Sequence, residues 1–188
     1  MTITPTTARR FTDTFAVPDK ALETPNPGGW EKVEQELSLV LPEDYKWFIE
    51  QYGTGCVSMY VWILNPFSKN ENLNLIYQIG SQSALFREMK DELGEEGCPY
   101  RVYPDEGGLV PFAISDNGDT LFWLADSQDP QDWPVVVNQT RSSIYEVHEQ
   151  NMTSFLLKLV TGEIKSEIFL SEYIEPDRLF LPFNEVEY

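Results

Sequence analysis

The chain is short of histidine, cysteine and positive charge. Of 188 residues one is His and two are Cys, and 13 Lys plus Arg stand against 31 Asp plus Glu, a formal net charge of −18 with an isoelectric point near 4.2. A phosphate backbone or an anionic lipid surface is held by cations that displace its counterions, so a surface this acidic repels nucleic acid and membrane and favours a basic protein partner. The lone histidine, His148, has no nucleophile beside it in sequence, and no phosphate-loop or dinucleotide fingerprint surrounds Gly53, Gly55, Gly107 or Gly108. No motif asks for catalysis, and no cofactor or metal is implied. Cys56 and Cys98, 42 positions apart with no CxxC partner, read as small buried hydrophobes rather than a disulfide. Long apolar runs are missing as well: none approaches the ~18 residues of a membrane span, and residues 1–17 lack the core of a signal peptide. A cytosolic protein is expected.

What is present is a foldable core. Apolar residues make up 41% of the chain and aromatics 13%, enough for a single domain that buries about 70% of its unfolded surface. The charge is uneven: residues 1–29 are neutral, 30–90 carry −3, 133–188 carry −5, and 91–132, with eleven acids and only Arg101, carry −10. Thr24, Pro25, Asn26, Pro27, Gly28 and Gly29 form a breaker cluster, so residues 1–29 read as a peripheral arm and linker and 30–188 as the domain.

Trp30, Val33 and Leu37 fall at helical spacing. Pro42, Glu43 and Asp44 then mark a helix start, because Pro suits the first turn and carboxylates suit its positive dipole end. Tyr45, Phe48, Ile49 and Tyr52 are the apolar face of that helix, and Gly53 its left-handed stop. Residues 57–64 read as one buried strand, and 81–93 as a helix with Leu85, Phe86, Met89 and Leu93 inward. Two strand-like runs flank Asn117-Gly118, which predicts a two-residue type I′ hairpin pairing Ile114 with Leu121, Phe112 with Trp123 and Asp116 with Asp119. Further strands are expected at 133–137 and 144–148, and a helix at 152–161. Without a repeated βαβ unit, this order implies an α+β domain with an antiparallel-rich mixed sheet.

Several of these residues, taken in order, resemble the SUKH superfamily: Trp30; Leu41 to Tyr45 leading to Phe48; Tyr52 to Gly55; Gly108 to Ala113; Asp116 to Asp119; and Phe122-Trp123. The likeness covers about 30–164, and Phe169 to Phe183 is similar to the tail of some bacterial members. The resemblance implies a small non-enzymatic immunity protein of a polymorphic toxin system, which binds and neutralises a cognate toxin domain, commonly a nuclease. A signalling scaffold like the fungal branch of the fold is the alternative.

The candidate partner-binding residues are Asp105, Glu106, Asp116, Asp119, Asp126, Asp129, Asp132 and Trp133, with Trp123 as a further apolar anchor. The acids lie in the hairpin turn and its flanking loops, where carboxylates would meet a basic toxin. Other readings stay open at this point. Asp116 and Asp119 also suit turn residues bonded to nearby amides, or, less well, a metal site, and Trp123 and Trp133 also suit the core.

Overall fold

The computed structural model describes residues 3–169 and 179–186. In chain order these form α1 (Pro5–Thr14), α2 (Gly29–Leu37), α3 (Glu43–Tyr52), β1 (Gly55–Val57), β2 (Val61–Ile63), α4 (Leu75–Gly97), β3 (Leu109–Ser115), β4 (Thr120–Leu124), β5 (Val135–Asn138), β6 (Tyr145–His148), α5 (Met152–Val160) and β7 (Phe180–Pro182). The strands make one antiparallel sheet in the order β6-β5-β4-β3-β2-β1-β7. This is an α+β domain.

Alternation along the strands loads both faces of the sheet. Leu121, Trp123, Val135 and Val137 join Tyr45, Phe48 and Ile49 of α3 and Phe155 and Leu156 of α5 in the main core. Leu109, Phe122 and Val136 face the other way, where Phe86 of α4 meets Phe122 with ring centroids 4.8 Å apart. Asparagine side chains cap two helices: Asn74 accepts from the Tyr77 amide at the start of α4, which begins at Leu75 rather than near residue 81, and Asn151 accepts from the Ser154 amide to cap α5. Cys56 and Cys98 are both free and buried.

Four expectations change. Within the segment 1–29, α1 belongs to the core rather than to a peripheral arm: Thr4 caps it, and Phe11 and Phe15, one turn apart and stacked at 4.2 Å, are completely buried, with Phe11 against Phe48 and Tyr52. The stretch after α1 is tied down by the Tyr52 hydroxyl donating to the Phe15 carbonyl, the Thr54 amide to the Leu22 carbonyl, and the Asn65 carboxamide to the Glu23 carbonyl. At Gly53 a Cβ would stand 2.1 Å from the Leu22 carbonyl oxygen, so the glycine that ends α3 is also what lets the arm lie against it.

Residues 57–64 are a hairpin instead of one strand, turned by Ser58 and Met59 at φ +53° and +57°. In α4, Phe86 and Met89 are buried, but Leu85 and Leu93 are 41% and 47% exposed. The helix runs past Leu93 and is broken at Gly94, whose φ is +69°. The fourth change, the β3–β4 register, shapes the site and is described with it. The expected tail similarity over Phe169 to Phe183 falls largely on 170–178, outside the described residues.

One buried charge links helices. Asp44, in the first turn of α3, is fully buried, and its Oδ2 accepts from the Thr153 amide at 2.9 Å and the Thr153 hydroxyl at 3.1 Å, joining α3 to the start of α5. Burial pushes its carboxyl above the ordinary 3.8, against the opposing hydrogen bonds from Thr153. The folded state therefore holds this proton more tightly than the unfolded chain, so Asp44 stabilises the fold at low pH and loses that contribution as pH rises from about 3.8 through its folded value. Asp44→Asn keeps an oxygen for Thr153 and removes the charge. In urea titrations the variant should gain on the parent as pH climbs from about 4 to 7, and a constant difference would show that Asp44 does not titrate in this way.

Candidate partner-binding face

The hairpin of β3 and β4 decides where the acidic residues go. The Ser115 amide donates to the Asp119 carbonyl at 2.8 Å and the Gly118 amide to the Ser115 carbonyl at 2.9 Å, with Gly118 at φ +87°. The loop is thus Asp116-Asn117-Gly118, three residues with Gly in the left-handed position, rather than a two-residue type I′ turn. Register slips by one: Ile114 pairs with Thr120 and Ala113 with Leu121, and a bulge between Pro111 and Ala113 then shifts it again. Phe112 still stacks on Trp123, at 4.9 Å.

The slip separates the two turn acids. Ser115, not Asp116, stands across from Asp119, whose side chain turns inward and is 3% exposed. Its carboxylate accepts from the Ser115 hydroxyl at 2.8 Å, the Tyr60 hydroxyl at 3.2 Å and the Thr140 amide at 3.0 Å. Asp119 is therefore a buried tie between the β1–β2 turn, β3 and the β5–β6 loop, and it leaves the set of surface residues. Asp116 stays exposed, and its Oδ1 accepts from the indole N–H of Trp62 at 2.7 Å. Its negative charge reaches Cys56, whose thiol is pushed up to about 12, first by burial and then by Asp116.

The remaining acids gather at the opposite end of the hairpin. At about 3.4 Å per residue, the seven residues of β3 put this end roughly 20 Å from Asp116. There the Ala125 amide donates to the Gly108 carbonyl at 3.1 Å and the Leu109 amide to the Arg101 carbonyl at 2.9 Å, so the loops before β3 and after β4 run side by side. Asp105 and Glu106 are exposed on the first loop, and Asp126, Asp129 and Asp132 on the second. Asp129 also holds its own loop, accepting from the Gln131 amide at 3.0 Å.

Gln131 in turn accepts from the Glu43 amide at 3.0 Å, which sets the start of α3 beside these loops. The half-exposed Glu43 carboxylate stands in the same region but is paired with Lys46 at 2.6 Å, so it adds no unmatched charge to the loops. Among the described residues, none of the five loop carboxylates has a Lys or Arg within 4.0 Å. Arg101 reaches the Glu106 carbonyl and Arg87 the Tyr103 carbonyl, so both cations are turned toward backbone oxygens.

Neither tryptophan is a surface anchor. Trp133 is 4% exposed, with its indole N–H on the Ser127 carbonyl at 2.8 Å, and Trp123 is buried between Tyr45 and Phe112. Both hold the loop end of the sheet in place. His148 packs on Phe155 and lies 3.2 Å from Glu146, whose other oxygen accepts from the Glu167 and Ile168 amides. The described residues contain no group of three or more His, Cys, Asp or Glu placed to hold a metal ion, and no helix among them is long and apolar enough to cross a membrane.

Comparison with known families matches residues 28–156 to the family described as SUKH_6: SMI1-KNR4 cell-wall. No curated protein and no solved structure matches the chain. The matched region is more than half of the chain and runs from α2 into α5, with the hairpin and both acidic loops inside it. The chain belongs to the SUKH superfamily.

Proposed function

We propose that the protein is a non-enzymatic immunity protein that binds and neutralises a basic toxin domain, such as a nuclease, in the cytosol. The observation that carries this reading is the group of exposed carboxylates in the two loops at one end of the sheet, Asp105, Glu106, Asp126, Asp129 and Asp132, none with a Lys or Arg within 4.0 Å among the described residues, on a scaffold of the SUKH superfamily. A nuclease domain needs a positive channel for its substrate, and carboxylates held on short, tied loops offer it a competing anionic surface. Uncompensated charge of this kind acts mainly on association, where steering raises rates by roughly 10–10³.

The test is to mix the protein with the toxin encoded beside it, and to measure complex formation and protection of cells. A chain that neither binds nor protects removes the reading. Where a complex forms, changing Asp126, Asp129 and Asp132 to Asn or Ser is expected to slow association by about tenfold at low salt, with much less effect at physiological ionic strength. An association rate indifferent to both salt and these changes would take the loops out of recognition.

A further inference from the structure

At one side the sheet ends on β6, and its ladder fixes which backbone groups face out. The Leu124 amide donates to the Pro134 carbonyl at 3.0 Å and the Gln139 amide to the Ile144 carbonyl at 3.1 Å. Bonding alternates along an antiparallel strand, so residues 134, 136 and 138 bond toward β4, and 135, 137 and 139 toward β6. The partners of Val135 and Val137 are His148 and Glu146. These two spend their amides and carbonyls on β5, while Tyr145 and Val147 turn theirs away from the sheet. Among the described residues nothing bonds to those outward groups.

A row of outward amides and carbonyls is complementary to one kind of ligand, another extended backbone, which adds to the sheet as a further strand. The side chains agree with this. Val147 and, just before β6, Ile144 are 45% and 51% exposed, so an added strand would also cover apolar surface. The edge adjoins the acidic loops as well. His148 pairs with Val135, three residues after Asp132, which brings the end of β6 within roughly 15 Å of Asp132. Two further exposed acids stand beside β6: Glu149 follows it directly, and Glu167 is placed by its amide on the Glu146 carboxylate at 2.6 Å. Neither has a Lys or Arg within 4.0 Å among the described residues, and the exposed cations of this region are Arg141, in the loop at the other end of β6, and Lys165. A second copy of the chain is a poor occupant. Two copies that used both outward residues of each β6 would pair Tyr145 with Val147 and set Glu146 opposite Glu146, with a formal −18 on either side.

We propose that β6 receives an extended segment of the basic partner protein, which pairs with Tyr145 and Val147 through its backbone and continues the sheet. This rests on the partner being a basic protein, as in the reading above, and adds a main-chain contact beside the acidic loops.

The experiment titrates the ¹⁵N-labelled full chain with a blocked hexapeptide of alternating lysine and valine, with its glutamate and valine counterpart, and with the lysine peptide N-methylated throughout its backbone. The expected result is a saturable shift of the Tyr145 and Val147 amide signals, with hydrogen exchange at these two positions slowed at least about tenfold near saturation. The glutamate peptide should bind at least about tenfold more weakly, and the N-methylated one should leave both signals unmoved. Val147→Pro removes an outward N–H that β5 does not use, a place where an edge strand tolerates proline, and should weaken the lysine peptide by about tenfold, whereas Val147→Thr keeps its binding. Unmoved Tyr145 and Val147 signals, equal binding of the lysine and glutamate peptides, undiminished binding of the N-methylated peptide or an undiminished response in folded Val147→Pro overturns the proposal. Concentration-dependent shifts of the same two amides in the free chain overturn it too, by giving the edge to a second copy. The two readings fail separately. A neighbouring toxin that forms a complex while the Tyr145 and Val147 amides exchange as in the free chain removes the edge contact and leaves the immunity reading, whereas lysine peptide binding without any toxin complex does the reverse.

Discussion

Replacing Phe11 by alanine is expected to destabilise the protein by about 3–5 kcal/mol, a large part of the ~5–15 kcal/mol that holds a domain of this size together. Phe11 is completely buried, stacks on Phe15, and meets Trp47, Phe48 and Tyr52 edge-on at 5.6, 5.9 and 5.6 Å. Its loss opens a cavity between α1 and α3, next to a layer of rings that cannot collapse without leaving their own contacts. Urea unfolding of Phe11→Ala measures the effect. Arg10→Ala, which removes only an exposed ion pair with Glu163, serves as the control and should stay within about 0.5 kcal/mol. If Phe11→Ala also stays within that range, α1 is a dispensable arm after all. The outcome matters because α1 lies before residue 28, where the family match begins: this chain completes its core with a helix from outside the matched region.

The second large effect is expected at Asp119. Asp119→Ala takes the carboxylate from the buried Ser115 hydroxyl, from the part-buried Thr140 amide and from the Tyr60 hydroxyl, and each hydrogen bond lost in this setting costs on the order of 1 kcal/mol, so about 2–3 kcal/mol in total. Asp116→Ala, a few residues away but exposed, should cost under about 1 kcal/mol, since it removes one hydrogen bond from the Trp62 indole. Thermal unfolding of the two variants separates them. Equal stabilities would mean that the slipped register, and with it the inward turn of Asp119, does not hold in solution.

Much of this architecture can be read along the chain. The spacing of Tyr45, Phe48, Ile49 and Tyr52, the proline and carboxylates before them and the glycine after them specify α3 almost to its ends. The same logic finds α2 and α5 and the strands around Asn117-Gly118, because helix period, turn chemistry and chain stops depend on neighbours a few residues away. Faces are harder. Leu85 and Leu93 have suitable spacing for an inward stripe, yet α4 buries Phe86, which meets Phe122 of the sheet, and Met89 instead, and a helix can be rotated only by what it packs against. The hairpin shows the same limit, since Asn-Gly suits a two-residue turn in isolation, and the three-residue loop is the one that brings Asp119 to its donors.

By itself, then, the sequence determined an α+β domain, a strong excess of negative charge, and acidic loops on either side of one hairpin. Tertiary structure decided which charges belong together. It gathered Asp105, Glu106, Asp126, Asp129 and Asp132 at one end of the sheet, left Asp116 at the other, buried Asp119, Trp123 and Trp133, and drew Phe11 into the core. The physical reason is that a carboxylate can be buried only where donors meet it. Those of Asp119 come from residues 60, 115 and 140, which stand together only once the sheet has formed.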